Sequence, residues 1–331
     1  MWSLEHHGVM EHTDRQDAPA DERWEVVIVG GGAAGLSAAL VLGRARRWTL
    51  VLDAGEQSNR PAHGIGGLLG HDGLPPAELY RKGREELRAY PSVEVRDARV
   101  TGGAPEEGGG FVLSTADGDV VRAERVVLAT GMTYAVPDLP GLAPLWGDTA
   151  FHCPYCHGWE ARDGALAVLG ADHGVHRALL LQGWSRDVVL LTDGPAELDD
   201  AERSVLWSAG IPVVERPVAG VTARDGKLSA VVFADGGELP RDGLLVFTPL
   251  AQRTGLAEEL GAVLDERGAV DVDGFGRTTV PGLYAAGDVS TLMPQVATAV
   301  AEGSRVAAVL NGDVLAEHHG IAPMIPARAA A

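Results

Sequence analysis

The sequence predicts an α/β protein of two doubly wound domains, the second inserted into the first, and three observations carry that expectation. A continuous apolar, β-branched run, Glu25-Val-Val-Ile-Val-Gly30, enters a glycine-rich turn and then a segment rich in Ala and Leu. The same succession returns about 140 residues later at Gly164-Ala-Leu-Ala-Val-Leu-Gly170. Near the end, Gly282-Leu-Tyr-Ala-Ala-Gly-Asp288 is a further short apolar run, closer in character to the first domain than to the second.

The first domain opens on the strand Glu25–Gly30, continues as a helix from Ala33 to Arg44 and returns as the strand Thr49–Asp53. Strand, helix and strand in this order form a right-handed βαβ unit of a parallel, Rossmann-like sheet. Between strand and helix, Gly30-Gly-Gly32-Ala33-Ala34-Gly35 fits G-x-G-x-x-G. Gly30 permits the tight turn, Gly32 lets backbone approach a pyrophosphate, and Gly35 lets the helix lie close to the sheet. The helix N-terminus supplies unpaired N–H donors and partial positive charge. Asp53 ends the second strand 18 residues past Gly35, where an acid takes ribose hydroxyls. A glycine turn alone also caps ordinary helices; the flanking strands and Asp53 favour a dinucleotide.

The second domain repeats the pattern with a strand at Gly164–Gly170, a helix from about Val175 to Trp184 and a strand at Asp187–Leu191. The run Gly282–Asp288 then leads into a small-residue helix from about Gln295 to Leu310. Boundaries fall near the Pro/Gly-rich stretch Pro137–Gly141 and near Phe247-Thr-Pro249. They give a discontinuous first domain (24–142 and 248–317) and an inserted one (143–247). Residues 1–23 are polar, mix both charge signs and lack the apolar centre of a secretory signal, so they read as a disordered tail; 318–331 reads as a second loose end.

At 331 residues the chain is long enough for two cores, and 46 % apolar and 22 % charged residues are ordinary for a soluble protein. A formal charge of −19 argues against a nucleic-acid backbone or an anionic membrane as partner. No apolar run approaches the length of a membrane span, and the chain reads as cytoplasmic.

The chain's two cysteines form one motif, Cys153-Pro-Tyr-Cys156. A lone adjacent pair is a poor structural cross-link in a reducing compartment. His152 and His157 flank it, yet four ligands within six residues cannot readily surround a zinc ion tetrahedrally. Redox use is the favoured reading, with no metal.

The second glycine turn departs from a nucleotide site. It reads Gly170-Ala-Asp172-His-Gly174, with Asp172 at the close-approach position. At an effective dielectric near 20, like charges about 4 Å apart repel by roughly 4 kcal/mol, which opposes a pyrophosphate there. The next strand leads into Thr192-Asp193-Gly-Pro195 and then Glu197, Asp199 and Asp200. That acidic surface rejects the 2′-phosphate of NADPH; Asp193 leaves the ribose of NADH open.

Three blocks make the chain resemble the low-molecular-weight thioredoxin reductase family from about Trp24 to Leu310: Gly30–Ala39, Val127-Leu-Ala-Thr-Gly131 and Gly282–Val289. The resemblance implies FAD as the first nucleotide. It places Gly287 and Asp288 at the ribityl chain, Gln295 and Val296 near the pyrimidine edge, and Val100 at the adenine. Ala129, Thr130 and Gly131 come under the cofactor. Asn59, Arg60 and His63 fall where the family has a flavin-side loop, in a stretch that departs from the usual reductase sequence. The resemblance further makes Cys156 the flavin-proximal thiol and Cys153 the interchange thiol, and implies a homodimer. His157 stands where ordinary reductases have Asp. An imidazole shuttles protons near neutral pH, so His157 is a candidate acid/base, against a surface or capping role; His152 is read as structural.

The Cys-Pro-aromatic-Cys-His-Gly block and the altered nucleotide motifs are similar to those of the FAD-dependent dithiol oxidases that close the disulfide of gliotoxin- and holomycin-type natural products. The holomycin type is the closer, through Cys153-Pro-Tyr-Cys-His-Gly-Trp-Glu160. That resemblance implies a small-molecule dithiol and O2 as substrates, and H2O2 as a product. Two other readings stay open: an NADPH- or NADH-driven reductase of thioredoxin or a small disulfide, and a flavin redox sensor without turnover.

Overall fold

The computed structural model describes residues 23–170, 172–291 and 293–326. The expected N-terminal tail, up to residue 22, and residues 327–331 of the expected C-terminal one lie outside them, as does Ala171 of the second glycine turn. Arg23, assigned to the tail, is held by Gly109 O (2.7 Å) and Glu106 (2.7 Å).

The chain divides into two units. One comprises the chain up to Gln57, Tyr80–Met132 and the chain from Gln252; the other comprises Ser58–Leu79 and Thr133–Ala251. These limits correct the expected ones in two ways. The chain passes between units within the paired strands Met132–Tyr134 and Leu250–Gln252, not at Pro137–Gly141 or Phe247–Pro249. The Pro/Gly-rich stretch is no linker, because Leu142 is a core residue, Val136 and Leu139 pack against that core, and Pro140 O accepts from Val221 N (2.8 Å). Residues 58–79, expected in the first domain, group with the second unit.

In the first unit, strands Val93–Asp97, Thr49–Asp53, Trp24–Val29 and Val120–Leu128 lie side by side and parallel, and Leu283–Ala285 joins the last of these in parallel. Val26, Val27 and Ile28 are fully buried, as a run apolar on both faces requires. The long strand Val120–Leu128 also starts an antiparallel meander with Phe111–Thr115 and Val100–Pro105.

Helices Ala33–Arg44 and Val296–His319 meet at small residues: Ser37 Oγ donates to Val300 O (2.8 Å), and Gly303 lies directly on the Ala34 carbonyl. The second helix runs past the expected end at Leu310, through Asn311-Gly-Asp313, and stops at Gly320 in the left-handed region (φ +62°). Asp313 anchors this extension. It accepts from Arg277 Nε (2.7 Å) and Nη2 (2.8 Å) and from Tyr284 Oη (2.8 Å), while Arg277 Nη2 also reaches Ile325 O (2.9 Å).

The second unit has a five-stranded parallel sheet in the order Val213–Val214, Val188–Leu191, Leu166–Leu169, Gly243–Val246, Ala150–Phe151. Its first helix, Gly174–Leu181, is shorter than the expected span to Trp184. The helix Asp200–Ser208 begins on a capping box between Asp199 and Glu202. A three-stranded antiparallel sheet (Val218–Arg224, Lys227–Phe233, Glu238–Pro240) adds to the expected elements. Among the described residues, no helix is long and apolar enough to cross a membrane.

Candidate active site

The glycine turn of the first unit is a cradle built by close backbone approach. Gly30 has φ +109°, and a Cβ there would strike the Ala129 carbonyl and lie 3.2 Å from the Thr130 Cα. A Cβ at Gly35 would collide with Gly30 O and sit 3.3 Å from the Ala129 side chain. At Gly32 the only neighbour within reach is a Gln57 side-chain carbon at 3.7 Å, so the space before the helix is open. Gly32 is the N-cap of Ala33–Arg44 and no side chain caps that helix. Its first-turn N–H groups are therefore left without a side-chain cap at an open position, as binding the pyrophosphate of a dinucleotide requires.

Gly287 joins the same cradle, since its Cβ position lies 2.8 Å from the Ala34 side chain; its N–H donates to Glu302 Oε2 (2.8 Å). Asp53 is 5 % exposed and abuts Gly31. Its carboxylate accepts from Gly55 N (3.0 Å) and Gln57 Nε2 (3.2 Å), and Arg84 bridges it to Asp97. Gln295 is the extended N-cap of the helix that Val296 begins. Val100 is buried at the start of its strand. Arg84 and Glu302 are missed by the sequence patterns: each sits on a helix face with no motif around it. Asn59, Arg60 and His63 are not part of this unit; His63 pairs instead with Asp148 (3.3 Å) in the second.

In the second unit Cys153 and Cys156 are joined as a disulfide, with Cα atoms 5.3 Å apart. Cys153 is the N-cap of the short helix Pro154–His157, whose proline takes a first-turn position where no N–H is needed. His157 stacks on Phe151 at 5.7 Å and donates from Nε2 to Gly147 O (3.2 Å), while its buried Nδ1 has no hydrogen-bond partner. Burial pulls its pKa below the ordinary imidazole value, against the Gly147 and Cys153 carbonyls and the nearby Glu160 and Asp148 carboxylates. A neutral ring with Nε2–H leaves Nδ1 as the basic nitrogen. His152 packs between Tyr134 (4.4 Å) and Trp146 (5.7 Å), and burial, aided by His157, pushes it down to about 4. The flanking histidines thus differ in kind: one is enclosed by aromatic rings, the other is tied to backbone carbonyls.

At the second glycine turn Arg177 folds back. Its Nη1 donates to Asp172 O (2.7 Å) and its guanidinium lies 4.2 Å over the Phe247 ring. Asp193, the residue that left NADH open, accepts from Val218 N (2.6 Å).

Residues 24–303 match the family model described as pyridine nucleotide-disulphide oxidoreductase. The chain belongs to that family. The family's thioredoxin reductase-like members are FAD-binding flavoproteins, and the chain is a disulfide oxidoreductase with FAD as its cofactor. Within the family it is similar to thioredoxin reductase tcpT of Claviceps purpurea, 31 % identical over 91 % of this chain and 98 % of that protein. The crystal structure of HlmI is 36 % identical, covers 91 % of this chain and 95 % of its own, and superposes with a TM-score of 0.86. An oxidoreductase from Agrobacterium tumefaciens is 34 % identical over 89 % of this chain and 99 % of its own, with a TM-score of 0.84.

Proposed function

We propose that this oxidoreductase runs from thiol to oxygen: it oxidises a small-molecule dithiol of the natural-product type to a cyclic disulfide and reduces O2 to H2O2. The observation that carries this reading is the second glycine turn. Asp172 occupies it, Arg177 is folded over it, and Asp193, the one acid placed for a nucleotide ribose, is bonded to Val218 N. A nicotinamide dinucleotide would have to displace these contacts, whereas the Cys153–Cys156 disulfide is intact. The likeness to HlmI supports the same reading.

A substrate thiolate attacks Cys153, breaking the enzyme disulfide and releasing the Cys156 thiolate. The second substrate thiol attacks the mixed disulfide, Cys153 leaves, and the substrate departs with a new S–S bond. His157, next to Cys156 in sequence, is the acid/base candidate for the proton of the attacking thiol. Gly30, Gly32, Ala33, Ala34 and Gly35 would hold the FAD pyrophosphate and Asp53 its ribose. Ala129, Thr130, Gly131, Val100, Gly287, Asp288, Gln295 and Val296 would line the rest. When bound, FAD supplies a two-electron acceptor that O2 can reoxidise. Re-forming the Cys153–Cys156 bond would release the electron pair, with Cys156 as the thiol nearer the acceptor, and the two thiol protons balance the reduction of O2 to H2O2.

Anaerobic titration of the oxidised flavoprotein with a small dithiol, NADPH and NADH tests the direction. Bleaching is expected with the dithiol alone, and Cys156→Ala is expected to abolish it. Rapid bleaching by either nucleotide would sink the reading. It would favour an NAD(P)H-driven disulfide reductase, the reading that the name of the Claviceps relative supports.

A further inference from the structure

The acid expected at the FAD ribose is itself held by an arginine. Asp53 and Asp97 end neighbouring parallel strands, Thr49–Asp53 and Val93–Asp97, and are partners in register. Two carboxylates so placed repel each other. Asp53 is buried, whereas the Asp97 side chain is 82 % exposed. Arg84, in the last turn of the helix Pro76–Leu87, spans the pair: Nη2 donates to Asp53 Oδ2 and Nη1 to Asp97 Oδ1 (2.6 Å). Neutral donors add to this on Asp53, Gly55 N at Oδ1 (3.0 Å) and Gln57 Nε2 at both oxygens (3.2 and 3.3 Å).

Asp53 also lies against the first glycine turn, since a Cβ on Gly31 would come 2.5 Å from its Oδ2. The turn that receives a pyrophosphate therefore has a buried carboxylate at its side. Such a charge is costly to bury and opposes phosphate unless a cation matches it. We infer that Arg84 is a positioning residue for FAD: it neutralises Asp53 and fixes its carboxylate, so that this acid can take the adenosine ribose hydroxyls beside the pyrophosphate. Asp97 anchors the guanidinium from the solvent side and so sets the direction of the nitrogen that meets Asp53. A lysine ammonium would balance the charge but lacks the planar fork that reaches both acids. The inference rests on the reading of Asp53 as the ribose acid and adds the residue that makes that role compatible with a neighbouring phosphate.

The test compares FAD with an FAD analogue lacking the 2′-hydroxyl of the adenosine ribose. Affinity of the full-length chain for each is read from flavin fluorescence as the loaded protein is diluted, so turnover does not enter. The wild type is expected to prefer FAD by roughly tenfold, as for one hydrogen bond to a charged acceptor. Arg84→Met is expected to weaken FAD binding by roughly tenfold and to cut the preference to within about twofold. Arg84→Lys, which keeps the charge, is expected to recover most of both. Arg84→Gln carries the same expectation as Arg84→Met should the latter not fold. Unchanged FAD affinity in Arg84→Met overturns the inference. Equal weakening for both flavins, with the preference intact, does the same, since Arg84 would then touch the phosphates or only support its helix. Asp53→Asn separates the two readings. If it loses the preference while Arg84→Met keeps it, the ribose acid stands and the role of Arg84 falls. If it keeps the preference, or the wild type shows none, the ribose assignment falls and takes the inference with it.

Discussion

Replacing Gly303 by Ala sets two effects against each other. The residue lies inside the helix Val296–His319, where Ala is favoured over Gly by about 1 kcal/mol. The added methyl would collide with the Ala34 carbonyl oxygen and come within 2.8 Å of its carbon and 3.0 Å of its Cα. These are main-chain atoms that no rotamer change can clear, so the helices must separate, at a cost of about 1–3 kcal/mol. Three backbone contacts put the clash at the upper end, leaving a net destabilisation of about 1–2 kcal/mol. For a unit of this size that lowers Tm by roughly 2–8 °C. The same displacement acts on function, because Ala34 belongs to the first turn that faces the phosphates. FAD affinity is expected to weaken by roughly 5- to 30-fold. Thermal melting and flavin absorbance per protein report the two effects. A Gly303→Ala protein that keeps full FAD content and melts at or above wild type would refute the argument that this helix contact positions the cradle.

Asp53→Ala removes a charged acceptor from the expected ribose position and is expected to weaken FAD binding by roughly 10- to 100-fold; isothermal titration of the apoprotein with FAD checks it, and an unchanged affinity rejects the assignment. Asp313→Asn breaks a largely buried pair with Arg277 and is expected to cost about 3 kcal/mol, read as a lower urea midpoint. A neutral result would mean that the extended helix does not depend on that anchor. His152 is held at about 4, below its unfolded value, so the unfolded chain takes up this proton first as pH falls. Its stabilisation is complete above about pH 6.5 and is lost between about 6.5 and 4, a difference of order 3 kcal/mol. His152→Phe keeps a ring between Tyr134 and Trp146, and should flatten the fall of Tm over that window; an unaltered slope would show that other groups set it.

The parallel sheets were legible because a strand buried on both faces must be apolar at every position, as Val26–Val29 and Leu166–Leu169 are. The phosphate cradle was legible because only glycine allows the contacts at Gly30 and Gly35. The placement of residues 58–79 was not. That stretch meets the second unit partly through bare backbone, with Gly66 against the Cys156 carbonyl and Pro61 against Gly147, and such contacts leave no periodic side-chain signal. The extension of the helix from Leu310 to His319 was not legible, since the partners that anchor it at Asp313, Arg277 and Tyr284, lie about 30 residues upstream. At the cysteines the motif was plain. The anchoring of His157 was not, since it depends on a carbonyl ten residues earlier.

Because Ser58–Leu79 and Thr133–Ala251 make one unit, the polypeptide crosses from one unit to the other four times. Recombination with a relative at two junctions, near Met132 and Gln252, would leave the segment from Ser58 to Leu79 with the wrong parent, including the glycine that meets the backbone of Cys156. A chimera that exchanges redox modules cleanly must therefore be spliced at four places. Homologues in which the cysteine motif changes should show compensating drift in this distant loop.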